Sequence, residues 1–228
     1  MTFDIGDNVM GIKENSEEFF KKASEIFGKI WNENPGIFFA SSTRELAEQG
    51  DAEAQCKLGA MYHNGNDEVE QNDEEAFKWL KKSAEQGNAL AQAHLARTYL
   101  YGYGTKQNFQ EALKWSKKSA EQDNCEGQCV LGLIYCCDSG VKQDFIEAIK
   151  WFKEAAEQGN IVGQCNLGKM YYEGHGVEQD YKEAFKWFKR AEKQAQELGG
   201  VIKQDVENFL MAIKAGGNIN PELLNKMI

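Results

Sequence analysis

Four tryptophans, Trp79, Trp115, Trp151 and Trp187, fall 36 residues apart at every step. The pairs Leu58/Tyr62, Leu95/Tyr99, Leu131/Tyr135 and Leu167/Tyr171 keep the same interval, apart from one step of 37. So do the turns Ala-Glu-Gln-Gly/Asp that end at Gly50, Gly87, Asp123 and Gly159. A fixed period in the thirties is the mark of a solenoid, in which each unit buries its apolar face on its neighbour. The 228 residues then need no single growing core, and the usual count of one or two compact domains does not apply.

Each unit reads as two helices. The first starts after Asp51, Asn88, Asn124 or Asn160, all good N-cap residues. It carries Leu and Tyr four apart on one face and closes on glycines: Gly65, Gly102/Gly104, Gly140 and Gly174/Gly176. The second opens with Asn72…Glu75, Asn108…Glu111, Asp144…Glu147 or Asp180…Glu183. That spacing predicts a capping box, with the short side chain on the N3 amide and the glutamate reaching back to the cap. Ala76, Ala112, Ala148 and Ala184 sit one turn before the tryptophans and let helices approach closely. The second helix ends in Gln-Gly, where glycine takes the left-handed conformation at little cost, and Asp123 is a tolerated replacement.

These features divide the chain into a loose leader (1–14), an N-terminal helical cap or degenerate repeat (15–50), four repeats (51–190) and C-terminal capping helices with a tail (191–228). Ser16–Trp31 has helical apolar spacing and stops at Asn34-Pro35. After Trp187 the last helix is expected to run on to about Leu198, and Val201–Ala215 to add another.

The unit written most fully at Ala156–Trp187, AEQGNIVGQCNLGKMYYEGHGVEQDYKEAFKW, resembles the Sel1-like repeat, and the likeness covers about residues 43–190. The resemblance implies an all-α fold, a right-handed α/α superhelix of helix pairs related to tetratricopeptide repeats. It also implies the work of adaptors and scaffolds that hold proteins together. One cysteine-rich branch of the family is linked to β-lactam binding and hydrolysis through cysteines that bridge the two helices of a unit. Those slots hold Ala84/Gln92, Ala120/Gln128 and Ala156/Gln164 here, so that hydrolase activity is not carried over.

In a tetratricopeptide-like unit the first helix lines the concave side. Aligning Leu58-Gly59 with the buried Leu-Gly of that unit makes the inner wall Glu53, Cys56, Ala60 and His63, then Leu90, Ala93, Arg97 and Leu100. It continues through Glu126, Cys129, Leu133 and Cys136 to Val162, Cys165, Lys169 and Tyr172. This strip is mostly apolar and thiol-rich, with Arg97 and Lys169 set in it at solvent-facing positions. It suits a protein or peptide with apolar anchors and an acidic group. The same side chains would also suit mutual packing across a tightly wound groove, or a groove filled by a terminal helix.

A formal charge of −10 and the lack of a basic face argue against nucleic acid. No apolar run approaches the ~20 residues of a membrane span. The acidic start MTFDIGDNVMGIKENSEE is no secretory signal, which gives a cytoplasmic expectation.

Three of the six cysteines, Cys56, Cys129 and Cys165, share one slot with Ala93, a small buried position of reduced thiols. Units stacked about 10 Å apart lie beyond disulfide reach. Cys125, Cys129 and Cys136 share a helix face, but a straight helix spreads them over more than about 10 Å, so no metal site is expected. His63, His94 and His175 recur at no common slot and have no nucleophile partner in sequence; they read as polar helix or turn residues. No cofactor is implied. The function expected is non-catalytic protein binding through the concave strip, with a bacterial immunity or effector-adaptor protein as one concrete form. The rivals are a hydrolase of the cysteine-rich branch and a thiol-based metal or redox module.

Overall fold

The structure is a computed structural model that describes residues 40–66, 69–137 and 140–198, with side chains described between 43 and 194. The expected leader, the helix Ser16–Trp31 and the elements beyond Leu198 lie outside those residues. The described chain is helical throughout: α1 Ala40–Glu48, α2 Ala52–Asn64, α3 Asp73–Glu85, α4 Ala89–Tyr101, α5 Phe109–Ala120, α6 Cys125–Cys136, α7 Phe145–Glu157, α8 Ile161–Glu173 and α9 Tyr181–Leu198. Each helix packs on the next, as short connections between antiparallel helices require. Of the first helices, which are expected to line the inner side of the coil, α4 and α6 also pack directly on each other at the seam between the second and third repeats. No described helix is long and apolar enough to cross a membrane.

The inner helices start as the sequence predicts. The side chains of Asp51, Asn88, Asn124 and Asn160 accept from the amides of Ala54, Ala91, Gly127 and Gly163 at 2.7, 2.8, 3.0 and 2.8 Å. The outer helices keep only half of the expected capping box. Asn72, Asn108, Asp144 and Asp180 each accept from the third amide at 3.1 Å. The glutamates do not reach back, because the cap amides already donate to the carbonyls of Tyr62, Tyr99, Tyr135 and Tyr171 at 2.7–2.9 Å. The glutamates turn outward instead, Glu75 to Lys78 at 2.7 Å and Glu111 to Lys114 at 3.1 Å, with Glu147–Lys150 and Glu183–Lys186 pairing likewise. The recurring tyrosine thus matters partly through its backbone, which ties the end of an inner helix to the start of its outer helix.

The turns follow the sequence closely. Gly50, Gly87 and Gly159 have φ of 99°, 94° and 89°, and Asp123 is left-handed at 58°. Asp123 uses its side chain there, accepting from Gln128 and Gln158 at 3.0 Å each. The corresponding position after α9 is Ala195, 36 residues past Gly159; without a left-handed terminator the helix runs on to Leu198.

Buried leucines (Leu58, Leu95, Leu131, Leu167) and alanines (Ala76, Ala112, Ala148, Ala184) form the spine of the core. Polar groups inside it are paired in a ladder. Gln86, Gln122 and Gln158 donate to the side-chain oxygens of Gln55, Gln92 and Gln128 at 2.8–2.9 Å. Gln55, Gln92 and Gln164 in turn donate to the carbonyls of Ala47, Ala84 and Ala156 in the preceding turn at 3.0–3.2 Å. The fourth rung is open: Gln164 Oε1 and Gln194 Oε1 are buried without a hydrogen-bond partner, since Gln194 sits inside the extended α9 and not on a turn. On the second helices a cation lies over each of the four repeat tryptophans: Lys82 over Trp79, Lys118 over Trp115, Lys150 over Trp151 and Arg190 over Trp187, at 4.1–5.2 Å from the ring centres.

Candidate functional site on the inner helices

The predicted strip does not lie open along its length. Cys56, Ala60, Ala93, Leu100, Cys129, Leu133 and Cys165 are buried, while His63, Cys136, Lys169 and Tyr172 are half-buried. The expectation of a solvent-facing Arg97 is corrected: its residue is 8 % exposed. Its helix α4 packs directly against α6, and that approach encloses the guanidinium where a looser coil would have left it in water.

Arg97 is the electrostatic centre of a cluster drawn from three repeats. Its charge acts on His63 of α2, on His94 and Tyr101 of its own helix, and on Glu126 and Cys129 of α6. His63 Nδ1 pairs with Asp73 Oδ1 at 2.7 Å, and its ring lies 5.1 Å from that of Tyr103, which in turn is 5.6 Å from Tyr101. His94 Nε2 approaches Glu126 Oε2 to 3.8 Å, beyond hydrogen-bond reach. Burial, then the Arg97 charge, pushes His63 below the ordinary histidine range against the pull of Asp73. Burial, Arg97 and His63 push His94 well below it. Burial lifts the Glu126 carboxyl, and Arg97 partly offsets the rise. The permanent cation Arg97 thus sits among two histidines pushed toward the neutral form, with Asp73 bonded to His63 and Glu126 near His94.

The lower half of the strip is simpler. Lys169 Nζ lies 3.9 Å from Glu173 Oε1, Cys136 Sγ lies 4.0 Å from Met170 Sδ, and the rings of Tyr172 and Tyr181 meet edge-on at 5.4 Å. The two cations of the strip thus share their surroundings with Glu126 and Glu173.

All six cysteines are free thiols. Burial, with smaller help from Glu126, pushes Cys56 up to about 12; burial, with help from Cys137, does the same to Cys136. Cys129 and Cys125 are raised chiefly by burial as well. These are protonated thiols, not the activated thiolates of a sensor or nucleophile. Among the described residues no three His, Cys, Asp or Glu side chains converge on a point where an ion could sit. His63 and Asp73 form an oriented imidazole–carboxylate pair whose ring packs at a tilt against that of Tyr103.

Sequence reasoning missed the meeting of His63 with His94, and the participation of Asp73, Tyr101 and Tyr103. The histidines occupy different repeat slots, so periodicity separates residues that the diagonal contact between neighbouring inner helices brings together. Asp73 was hidden as an ordinary acidic residue in the first turn of a helix.

Helix pairs stacked in register, with a repeated polar ladder, define an α/α-solenoid repeat protein. Residues 52–88, 89–124, 125–160 and 161–195 each match the Sel1 repeat, and the chain belongs to that family. It is similar to a protective antigen of uropathogenic Escherichia coli that displays an SLR fold, with 38% identity over 69% of this chain and a TM-score of 0.60. A Sel1 repeat protein from Oxalobacter formigenes is similar over 75% of this chain, with 31% identity and a TM-score of 0.56. The chain spans 34% and 48% of the lengths of those two proteins.

Proposed function

We propose that this chain is a non-catalytic interaction module that binds a protein or peptide segment, with apolar anchors and an acidic group, through its inner helices. The observation that carries the reading is where the repeats differ. Framework slots repeat: Leu58, Leu95, Leu131 and Leu167, or Gln55, Gln92, Gln128 and Gln164. On the inner wall one slot repeats a small residue (Cys56, Ala93, Cys129, Cys165), but two others do not repeat: Ala60, Arg97, Leu133 and Lys169 occupy one, and His63, Leu100, Cys136 and Tyr172 the other. Stacking alone needs the repeated residues, so the unrepeated ones are where selection for a particular partner would act. Half-buried Lys169 and Tyr172, with Cys136 beside them, give the more accessible end of the strip. Raised thiol pKa values and the lack of an activated nucleophile beside His63 favour binding over hydrolase or thiol-redox chemistry.

The test is site-specific photocrosslinking in the native host, with benzoylphenylalanine at position 172 on the inner side and at 117 on the outer side. A discrete protein crosslinked from 172 and not from 117 supports the concave reading, and its identification by mass spectrometry would decide whether the role is that of a bacterial immunity or effector-adaptor protein. Crosslinks only from 117 would move the interface to the outer helices.

A further inference from the structure

Repetition accounts for Cys56, Cys129 and Cys165, which share with Ala93 a slot that asks only for a small buried side chain. Cys136 and Cys137 answer no such requirement. The slot of the first holds His63, Leu100 and Tyr172 in the other repeats, and that of the second holds Asn64, Tyr101 and Glu173. Both lie at the end of α6, Cys136 as its last residue and Cys137 as its extended C-cap, and both are half-buried. Across from them α8 supplies the buried Met170, whose Sδ stands 4.0 Å from Cys136 Sγ.

We propose that Cys136, Cys137 and Met170 form a binding site for a soft monovalent metal ion, Cu(I), between the ends of α6 and α8. Metal–thiolate bonds of about 2.3 Å put two sulfurs about 4.0 Å apart at a trigonal metal. The Cys136–Met170 separation has that spacing before any metal arrives. A third donor has to come from a residue able to turn toward this pair. Cys137 is the next residue along the chain and has left the helix for an extended backbone. The donor set selects the ion. Thiolate and thioether sulfur favour Cu(I), whereas structural zinc asks for four ligands, and no three His, Cys, Asp or Glu groups converge among the described residues.

Loading is a proton exchange. The S–H bonds of Cys136 and Cys137 break, two Cu–S bonds form, the Met170 sulfur donates a lone pair, and both protons leave to solvent. No electron moves, because the ion enters as Cu(I). Two thiolates around one monovalent cation leave a single negative charge, and Lys169, the residue before Met170 on α8, acts on Cys136 with the compensating sign. Burial, with help from Cys137, pushes the Cys136 thiol up to about 12, so its proton is hard to displace at neutral pH and uptake strengthens as pH rises. Packed sulfurs also touch at this distance without a metal; ligation differs in needing Cys137.

Anaerobic titration of the full chain with Cu(I), against bicinchoninate as the competing chelator, tests the site. The wild type should retain a single Cu(I) with three sulfur neighbours at about 2.3 Å in copper-edge X-ray absorption. Cys137→Ser, at a half-buried position, should lose that ion to the chelator, and Cys136→Ser likewise. Met170→Leu, close in volume, should weaken retention about tenfold. Cys129→Ala, which puts in the residue found at Ala93, and Cys125→Ser should leave retention unchanged. Circular dichroism identifies the folded variants. No retention by the wild type, nitrogen or oxygen neighbours in place of sulfur, or unaltered retention by folded Cys137→Ser overturns the proposal. If Cys137→Ser does not fold, Met170→Leu carries the test, and retention equal to the wild type overturns it. Loss in folded Cys129→Ala or Cys125→Ser overturns the assignment to these three residues.

Discussion

Adding one methyl group at Gly132 should separate steric packing from helix propensity in this fold. A Cβ built there would stand 2.7 Å from Cδ1 and Cε1 of Phe152 and 3.1 Å from its Cγ, against about 3.5–4.0 Å for an ordinary carbon contact. Phe152 is fully buried, so the ring has no free direction in which to retreat. At the equivalent Gly168 the nearest atoms of Phe188 are at 3.1–3.2 Å, a much smaller overlap. Alanine gains about 1 kcal/mol over glycine inside a helix, while overpacking costs about 1–3 kcal/mol. Gly132→Ala should therefore destabilise by up to about 2 kcal/mol, and Gly168→Ala should come out near neutral or slightly stabilised. The second repeat has already made the exchange: Ala96 takes the glycine slot where the facing slot holds Ser116. In a Phe152→Ser background Gly132→Ala should accordingly change sign and stabilise by about 1 kcal/mol. The assay is urea unfolding followed by circular dichroism, with hydrogen exchange of α6 as a local readout because repeat arrays need not unfold in two states. If Gly132→Ala stabilises the wild type as much as Gly168→Ala, the close approach of α6 to α7 does not have the energetic weight given to it here.

The caps and turns give further tests. Asn72→Ala should cost about 1 kcal/mol by thermal melting, whereas Glu75→Ala should shift the midpoint far less, since its carboxylate pairs with exposed Lys78 and not with the cap amide; equal losses would restore the full capping box. Asp123→Ala keeps the left-handed backbone but removes an acceptor shared by two glutamines, and should destabilise by about 1–2 kcal/mol. Asp123→Gly relieves the backbone while losing the same acceptor, and should be the milder change; the reverse order in urea midpoints would refute that account.

The fold was legible because periodicity reports contacts that every repeat makes alike. Asn88 and Asn160 announce helix starts, Gly87 and Gly159 announce ends, and Leu95 or Ala112 mark the faces between. Each depends on neighbours at fixed sequence distance. The capping glutamates misled because their competitor for the cap amide, the carbonyl of Tyr99 or Tyr135, is a backbone group with no signature in side-chain spacing. The candidate site was legible only in outline. Its strip followed from the helix face, but the enclosure of Arg97 depends on how tightly α4 and α6 coil, and that curvature is set by small differences in packing at one seam. The pairing of His63 with Asp73, and its proximity to His94, arise across repeats where the sequences diverge, so no period could announce them.

The glutamine ladder carries a consequence for how such an array can be lengthened. Within a unit the turn amide donates inward, and between units the inner amide donates back to the preceding carbonyl, so every rung points along the array in one sense. An internal unit duplicated in register would bring both a donor and an acceptor and leave no new amide orphaned. A unit grafted beyond α9 meets a different junction, where Ala195 supplies no turn and Gln164 already lacks its donor. Engineering a longer solenoid should therefore insert copies in the interior and leave the junction at α9 as it stands.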